Sequence, residues 1–267
     1  MTFETIELTR RDDGIAIVRL SRPQRLNAIN GRVLEELDAA VRAIDADPEI
    51  RVFLLCGAPR PDGRPCFSAG FDLKSVAEGV RLDPYLGARV TNRIDDLLKP
   101  SIAVVDGVCS TGGSELALAC DFRLVGEALE LSDWHLKRLG TGLGQWGGGV
   151  RWPRLVGVQN AKEIILTGRT VSAEDAVRIG FATARHPSAQ LMDQALAMAG
   201  AIAAMNPAGV RMCLAHLDRC ADMSRDTALR NAIELPRLFG IEVAIEGKAE
   251  AVLGRNAARK THDRDGD

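Results

Sequence analysis

Apolar positions along the chain change their spacing several times. The runs Ile6-Glu7-Leu8 and Ile15–Leu20 flank Asp12-Asp13-Gly14, and an Asp-Gly turn between two such runs predicts a β-hairpin. Val33/Leu34, Leu37, Ala40/Val41 and Ile44 then recur at helical spacing, and Asp47-Pro48 closes that run. A buried strand is predicted at 52–56, a Pro- and Gly-rich loop at 57–65 and a helix around 84–98. The strand 102–105, a helix after Gly113 and the strand 122–125 continue the alternation. Strands that alternate with helices predict parallel βαβ units. Beyond about residue 155 the spacing becomes mostly helical. Leu191, Ala195, Met198, Ile202 and Met205 form one stripe, and Val210, Cys213/Leu214, Leu217 and Cys220/Ala221 form another after Asn206-Pro207. The pattern predicts an α/β core followed by a helical C-terminal part, with a polar tail at 255–267 that frays. No repeat of fixed period is visible.

Composition narrows the function classes. The chain has 267 residues and is 46% apolar, enough for one large domain or two small ones. A net charge of −2 with dispersed Lys and Arg argues against non-specific nucleic-acid binding. No apolar run approaches the roughly 20 residues that span a bilayer, so no membrane partner is expected. The N-terminus lacks a basic region followed by an apolar one, which predicts no signal peptide. Six cysteines without a Cys-x-x-Cys pair fit reduced thiols and a cytoplasmic location. Cys56 and Cys120 sit in apolar runs, and Cys213 and Cys220, seven apart, are expected on the buried face of one helix. His135, His186, His216 and His262 are scattered without ligand spacing, so no metal site is expected.

The most informative stretch is Asp106-Gly107-Val108-Cys109-Ser110-Thr111-Gly112-Gly113-Ser114-Glu115-Leu116-Ala117. Paired glycines at a helix start leave backbone N–H groups open to an incoming oxygen, and the helix dipole adds positive potential there. Glu115, one turn on, is either a candidate acid/base or a surface glutamate favoured by the dipole. Two other motifs fail on context. Gly142-Leu143-Gly144-Gln145-Trp146-Gly147 satisfies Gly-x-Gly-x-x-Gly, but the preceding 134–138 does not read as a strand, so a dinucleotide site is not expected. Ser114 lacks the final glycine of a nucleophile elbow.

Upstream stands Cys66-Phe67-Ser68-Ala69-Gly70-Phe71-Asp72-Leu73-Lys74. Together with the Gly-Gly-Ser-Glu stretch it resembles the two signature segments of the enoyl-CoA hydratase/isomerase (crotonase) family. Arg22-Pro23-Gln24-Arg25-Leu26-Asn27-Ala28, Leu166-Thr167-Gly168-Arg169 with Ala173–Ala176 and Gly180, and Glu246-Gly247-Lys248 are similar to further segments of that family. The resemblance implies an α/β fold with a crotonase-like ββα spiral core, residues 1–200, and a helical C-terminal oligomerisation region, 201–267, in a homotrimer or dimer of trimers. It implies an acyl-CoA thioester as substrate and no cofactor beyond its coenzyme A moiety. The backbone N–H groups of Phe71 and Gly112 would form an oxyanion hole for the thioester oxygen. Ala69, Phe71, Asp72, Leu73, Lys74, Gly112 and Trp134 would border the substrate or coenzyme A, although Lys74 also reads as a solvated surface lysine.

Glu115 stands at the family's first catalytic glutamate. In hydratases resembling this chain, two glutamates flank one water; one activates it for attack at C3 and the other helps deliver a proton to C2. At the second glutamate this chain departs: Asp133, Trp134 and His135 compete for its place, and histidine can replace a carboxylate as acid/base. A Trp-His dipeptide is also similar to the family's dehalogenase branch, but Gln145 and Trp146 stand where that branch needs an aspartate. The reading is hydration or dehydration of an unsaturated acyl-CoA. Isomerisation, hydrolysis or C–C cleavage with one carboxylate, or a non-catalytic acyl-CoA-binding role, are the alternatives.

Overall fold

The computed structural model describes residues 2–79 and 83–241. In chain order its elements are β1 (Ile6–Arg10), β2 (Ile15–Leu20), α1 (Gly31–Ala46), β3 (Val52–Gly57), β4 (Cys66–Ser68), α2 (Leu73–Ala77), α3 (Leu86–Asp95), β5 (Ser101–Val105), β6 (Val108–Ser110) and α4 (Gly112–Leu118). They continue with β7 (Phe122–Gly126), β8 (Glu130–Ser132), α5 (His135–Leu139), α6 (Gly148–Thr167), α7 (Ala173–Arg178), β9 (Ala184–His186), α8 (Leu191–Ala203), α9 (Pro207–Cys220) and α10 (Arg225–Leu238).

β1 and β2 form the antiparallel hairpin that Asp-Gly predicts, pairing Ile6 with Leu20 and Arg10 with Ala16. From β2 onward the named strands of the described residues all pair in parallel, with antiparallel bridges only at Cys66–Gly107 and Leu131–Val171. The strands fall into two sheets, β1-β2-β3-β5-β7-β9 and β4-β6-β8. Successive strand pairs β3/β4, β5/β6 and β7/β8 each give one strand to either sheet before a helix returns the chain. That interleaving is the ββα spiral of a crotonase-like core. The three-residue strands of the smaller sheet escape the sequence pattern, because alternation needs four or more residues to register.

Side-chain alternation splits the larger sheet between two apolar layers. Val52, Leu54, Cys56, Ile102, Val104 and Leu124 pack with Leu191, Ala195, Ala199 and Ala203 of α8. Phe53, Leu55, Ala103, Val105 and Val125 face the opposite way, into a layer shared with α1, α4 and α6. The buried stripe of α8 therefore runs 191, 195, 199, 203, while the expected Met205 is exposed. Small alanines win the inner face because they let the helix approach the sheet closely.

The chain divides into two compact units, Met1–Val210 and Arg211–Asp267. In the second, Leu214 and Leu235 are buried, whereas Leu217, Leu229, Ile233 and Leu238 are exposed. Cys56 and Cys120 are buried as expected. Cys213 is exposed and Cys220 half-buried, so their shared stripe is not core within this unit. Glu246-Gly247-Lys248, His262 and the tail at 255–267 lie outside the described residues. Among the described residues no helix is long and apolar enough to cross a membrane.

Candidate active site

The first signature segment is held by the stretch Arg22–Ile29. Main-chain bonds run from Ala69 to Leu26, Ile29 to Gly70 and Asp72 to Ile29, at 2.8–2.9 Å. Asn27, fully buried, donates its side-chain amide to Ala58 O (2.8 Å) and Cys66 O (2.9 Å) and accepts from Arg22 N (3.0 Å). Asp72 pairs with Arg22 at 2.9 Å and accepts from Ser75 N, capping α2. Its carboxylate is thus taken up by structure, and burial, which works against its charge, is outweighed by these partners, so its pKa lies below the ordinary value.

Gly70 joins this segment to the second. Its φ is +88°, and a Cβ there would overlap Thr111 Oγ1, so the position admits only hydrogen. Thr111 itself has φ 46°, rare for a β-branched residue. Its amide donates to Ser132 O (3.1 Å) and its carbonyl accepts from Glu115 N (3.0 Å) and Ser114 Oγ (2.7 Å), which hold the strained turn at the start of α4. Phe71 and Gly112 consequently line one cavity of about 380 Å³. Neither of their amides donates to a protein acceptor among the described residues.

Glu115 lines the same cavity and is buried, 1% exposed. One carboxylate oxygen, Oε1, accepts from the backbone amides of Trp146 (2.8 Å) and Gly148 (2.9 Å). The other, Oε2, lies 3.5 Å from Nε2 of His135, which also lines the cavity. On the far side of the imidazole, Asp133 Oδ1 accepts from the His135 backbone amide (3.1 Å) and lies 2.8 Å from Nδ1. A Cβ at Gly144 would collide with Glu115 Oε1, so glycine is needed for the chain to cover this pair. Burial pushes the Glu115 pKa up, against the lowering effect of the Gly148 and Trp146 amides and the His135 charge. Burial works against the His135 cation, yet the hydrogen bond to Asp133 and the charges of Asp133 and Glu115 outweigh it, so its pKa lies above the ordinary value.

Of the residues singled out in the sequence, Phe71, Leu73, Gly112, Glu115 and His135 line the cavity. Asp133 is buried behind His135, and Trp134 lies outside the lining, donating its indole N–H to Gly168 O (3.0 Å) with Arg138 stacked 3.8 Å from its ring. Lys74 is exposed and Ala69 half-buried, both outside the lining. The Gly-x-Gly-x-x-Gly run lies between α5 and α6, not after a strand, in keeping with its rejection. Sequence reasoning missed Trp146. Its indole packs against Gly112 and edge-on to Phe71 at 6.1 Å, while its backbone anchors Glu115. The glycine run at 140–149 was the available signal.

Interleaved parallel sheets with a buried glutamate in the first turn of α4 define a crotonase-like protein. A family model for enoyl-CoA hydratase/isomerase matches residues 10–239, and the chain belongs to that family. It is 32% identical to a probable enoyl-CoA hydratase of Mycobacterium tuberculosis, covering 98% of this chain and all of that one. It is 31% identical to a short-chain-enoyl-CoA hydratase of Clostridium acetobutylicum, covering 95% of each. A crystal structure of an enoyl-CoA hydratase from Bacillus anthracis superposes with a TM-score of 0.85 at 29% identity, covering 94% of this chain and 97% of that one.

Proposed function

We propose that this chain adds water across the double bond of a 2,3-unsaturated acyl-CoA and catalyses the reverse dehydration. The observation that carries the reading is the Glu115–His135 pair, 3.5 Å apart, in a cavity that Phe71 and Gly112 also line. The two amides receive the thioester oxygen as it gains charge, a contribution of roughly 2.7–4 kcal/mol per donor. Glu115, ionised, removes a proton from water as its oxygen attacks C3 of the acyl group. His135, as imidazolium, delivers a proton to C2. Leu34, Leu73, Leu143 and Trp146 also belong to the lining and suit an apolar acyl group, beside the polar Asp83, Thr141 and Gln145. The reaction calls on no group beyond the coenzyme A carried by the substrate.

Incubating short unsaturated acyl-CoAs in ¹⁸O-water tests the reading. The expected product is a 3-hydroxyacyl-CoA carrying one labelled oxygen. A shifted double bond without label would make the chain an isomerase. Free coenzyme A would make it a hydrolase, and tight binding without turnover or exchange at C2 a binding protein.

Subunits are further proposed to associate through the C-terminal helices, as a trimer or a dimer of trimers. The exposed Leu217, Leu229, Ile233 and Leu238 support this, since burying each such side chain contributes about 1.5–3 kcal/mol. Light scattering should give a mass three or six times that of one chain; a monomer would refute the association.

A further inference from the structure

Within that proposed reaction, the geometry points to Asp133 as a positioning residue that never touches substrate: it fixes the imidazole of His135 in one tautomer and one orientation, with Nε2 presented to Glu115 and the cavity. Asp133 was a rival of His135 for the same role in the sequence. The structure separates them. Asp133 is 1% exposed and absent from the cavity lining, while His135 lines the cavity.

One oxygen of Asp133 grips His135 twice, through its backbone amide at 3.1 Å and its ring Nδ1 at 2.8 Å. A carboxylate oxygen can only accept, so Nδ1 carries the hydrogen and Nε2 is the atom that gains and loses the working proton. The main-chain bond sets the carboxylate beside the start of α5, and the ring bond then sets the rotation of the imidazole. Glu115 is divided in the same way. Its Oε1 is engaged by two backbone amides, which leaves Oε2 as the oxygen facing His135. The three side chains thus form a line, carboxylate–imidazole–carboxylate, with the cavity at its Glu115–His135 end.

The charges facing the imidazole are Asp133 from its own segment and Glu115 from α4. Asp83, which also lines the cavity, is paired with Arg89 at 2.6 Å. Lys137 and Arg138 of α5 lie beside the Trp134 ring. Among the described residues two anions and no cation face the imidazole, which favours the imidazolium, so Asp133 also determines the pH at which His135 ceases to be an acid.

The test combines ¹⁵N-histidine NMR of the substrate-free protein with pH profiles of kcat/KM, for the wild type and Asp133→Ala. The His135 signal is identified by its loss in His135→Gln. At alkaline pH the wild type should show hydrogen on Nδ1 and none on Nε2. Asparagine would not serve, because the His135 backbone amide would keep its carbonyl oxygen in the same place; in Asp133→Ala no acceptor faces Nδ1, so the hydrogen should move to Nε2, the nitrogen that carries it in a free neutral imidazole. The alkaline limb of the profile should fall by about one pH unit or more. Turnover should drop about tenfold or more with KM changed less than about twofold. An Nε2–H tautomer in the wild type overturns the assignment whether or not the variant folds. A drop in turnover with tautomer and alkaline limb unmoved also overturns it, since that is mere structural damage. The NMR result does not depend on the reaction: with the tautomers as stated and no hydration, the positioning role stands and only the hydratase reading falls.

Discussion

Glu115→Gln should lower kcat/KM for hydration by roughly 10²–10⁴, the usual scale for removing one general base. That corresponds to about 3–5 kcal/mol of lost transition-state stabilisation. The substitution is close to isosteric. A glutamine carbonyl in place of Oε1 can still accept from the Trp146 and Gly148 amides, so the turn at 144–148 should keep its path. What disappears is the acceptor at Oε2, replaced by an amide that cannot take a proton from water. The measurement is turnover on a short enoyl-CoA, with thermal melting as a control for folding. A loss under tenfold in a protein that melts normally would remove Glu115 from the chemistry.

His135→Ala should also cost roughly 10²–10⁴ in turnover, and it should change the shape of the pH profile. The signs follow from the surroundings. Glu115 works as a carboxylate, so its contribution is present above its pKa, which burial raises, and is lost as the pH falls through it. His135 works as an imidazolium, so its contribution is present below its pKa, raised against burial by Asp133 and Glu115, and is lost as the pH climbs through it. The wild type should give a bell whose alkaline limb lies above the ordinary histidine value, and the alanine variant should keep the acid limb alone. His135→Gln, which retains more of the volume, separates the chemistry from the cavity that alanine opens. A loss below tenfold with the bell intact would show that His135 only packs. Glu115 would then work alone, and an isomerase or hydrolase would become the better reading.

Much of this protein is legible in local pattern. The Asp-Gly hairpin, the helix over Val33–Ile44 and the strands at 52–56, 102–105 and 122–125 depend on neighbours one to four residues apart, which a sequence displays directly. The two signature segments are legible for a similar reason: tight turns and close approaches demand glycine, and Gly70 against Thr111 shows that demand met. Glu115 was recognisable because it stands in the first turn of the helix those glycines open.

Other features came only with the tertiary structure. The strands β4, β6 and β8 are three residues each and exist because parallel neighbours complete their hydrogen bonds, not because their own sequence alternates. The roles within Asp133-Trp134-His135 could not be assigned by counting, because three adjacent side chains leave a strand end and helix start in different directions. One meets the cavity, one is buried behind it, and the indole lies against Gly168. The hold on Glu115 by amides 31 and 33 residues away is equally non-local. Sequence determined which residues with acid/base capacity the chain carries; packing between distant segments decided which of them face the same cavity, and how far each is shifted from its ordinary protonation.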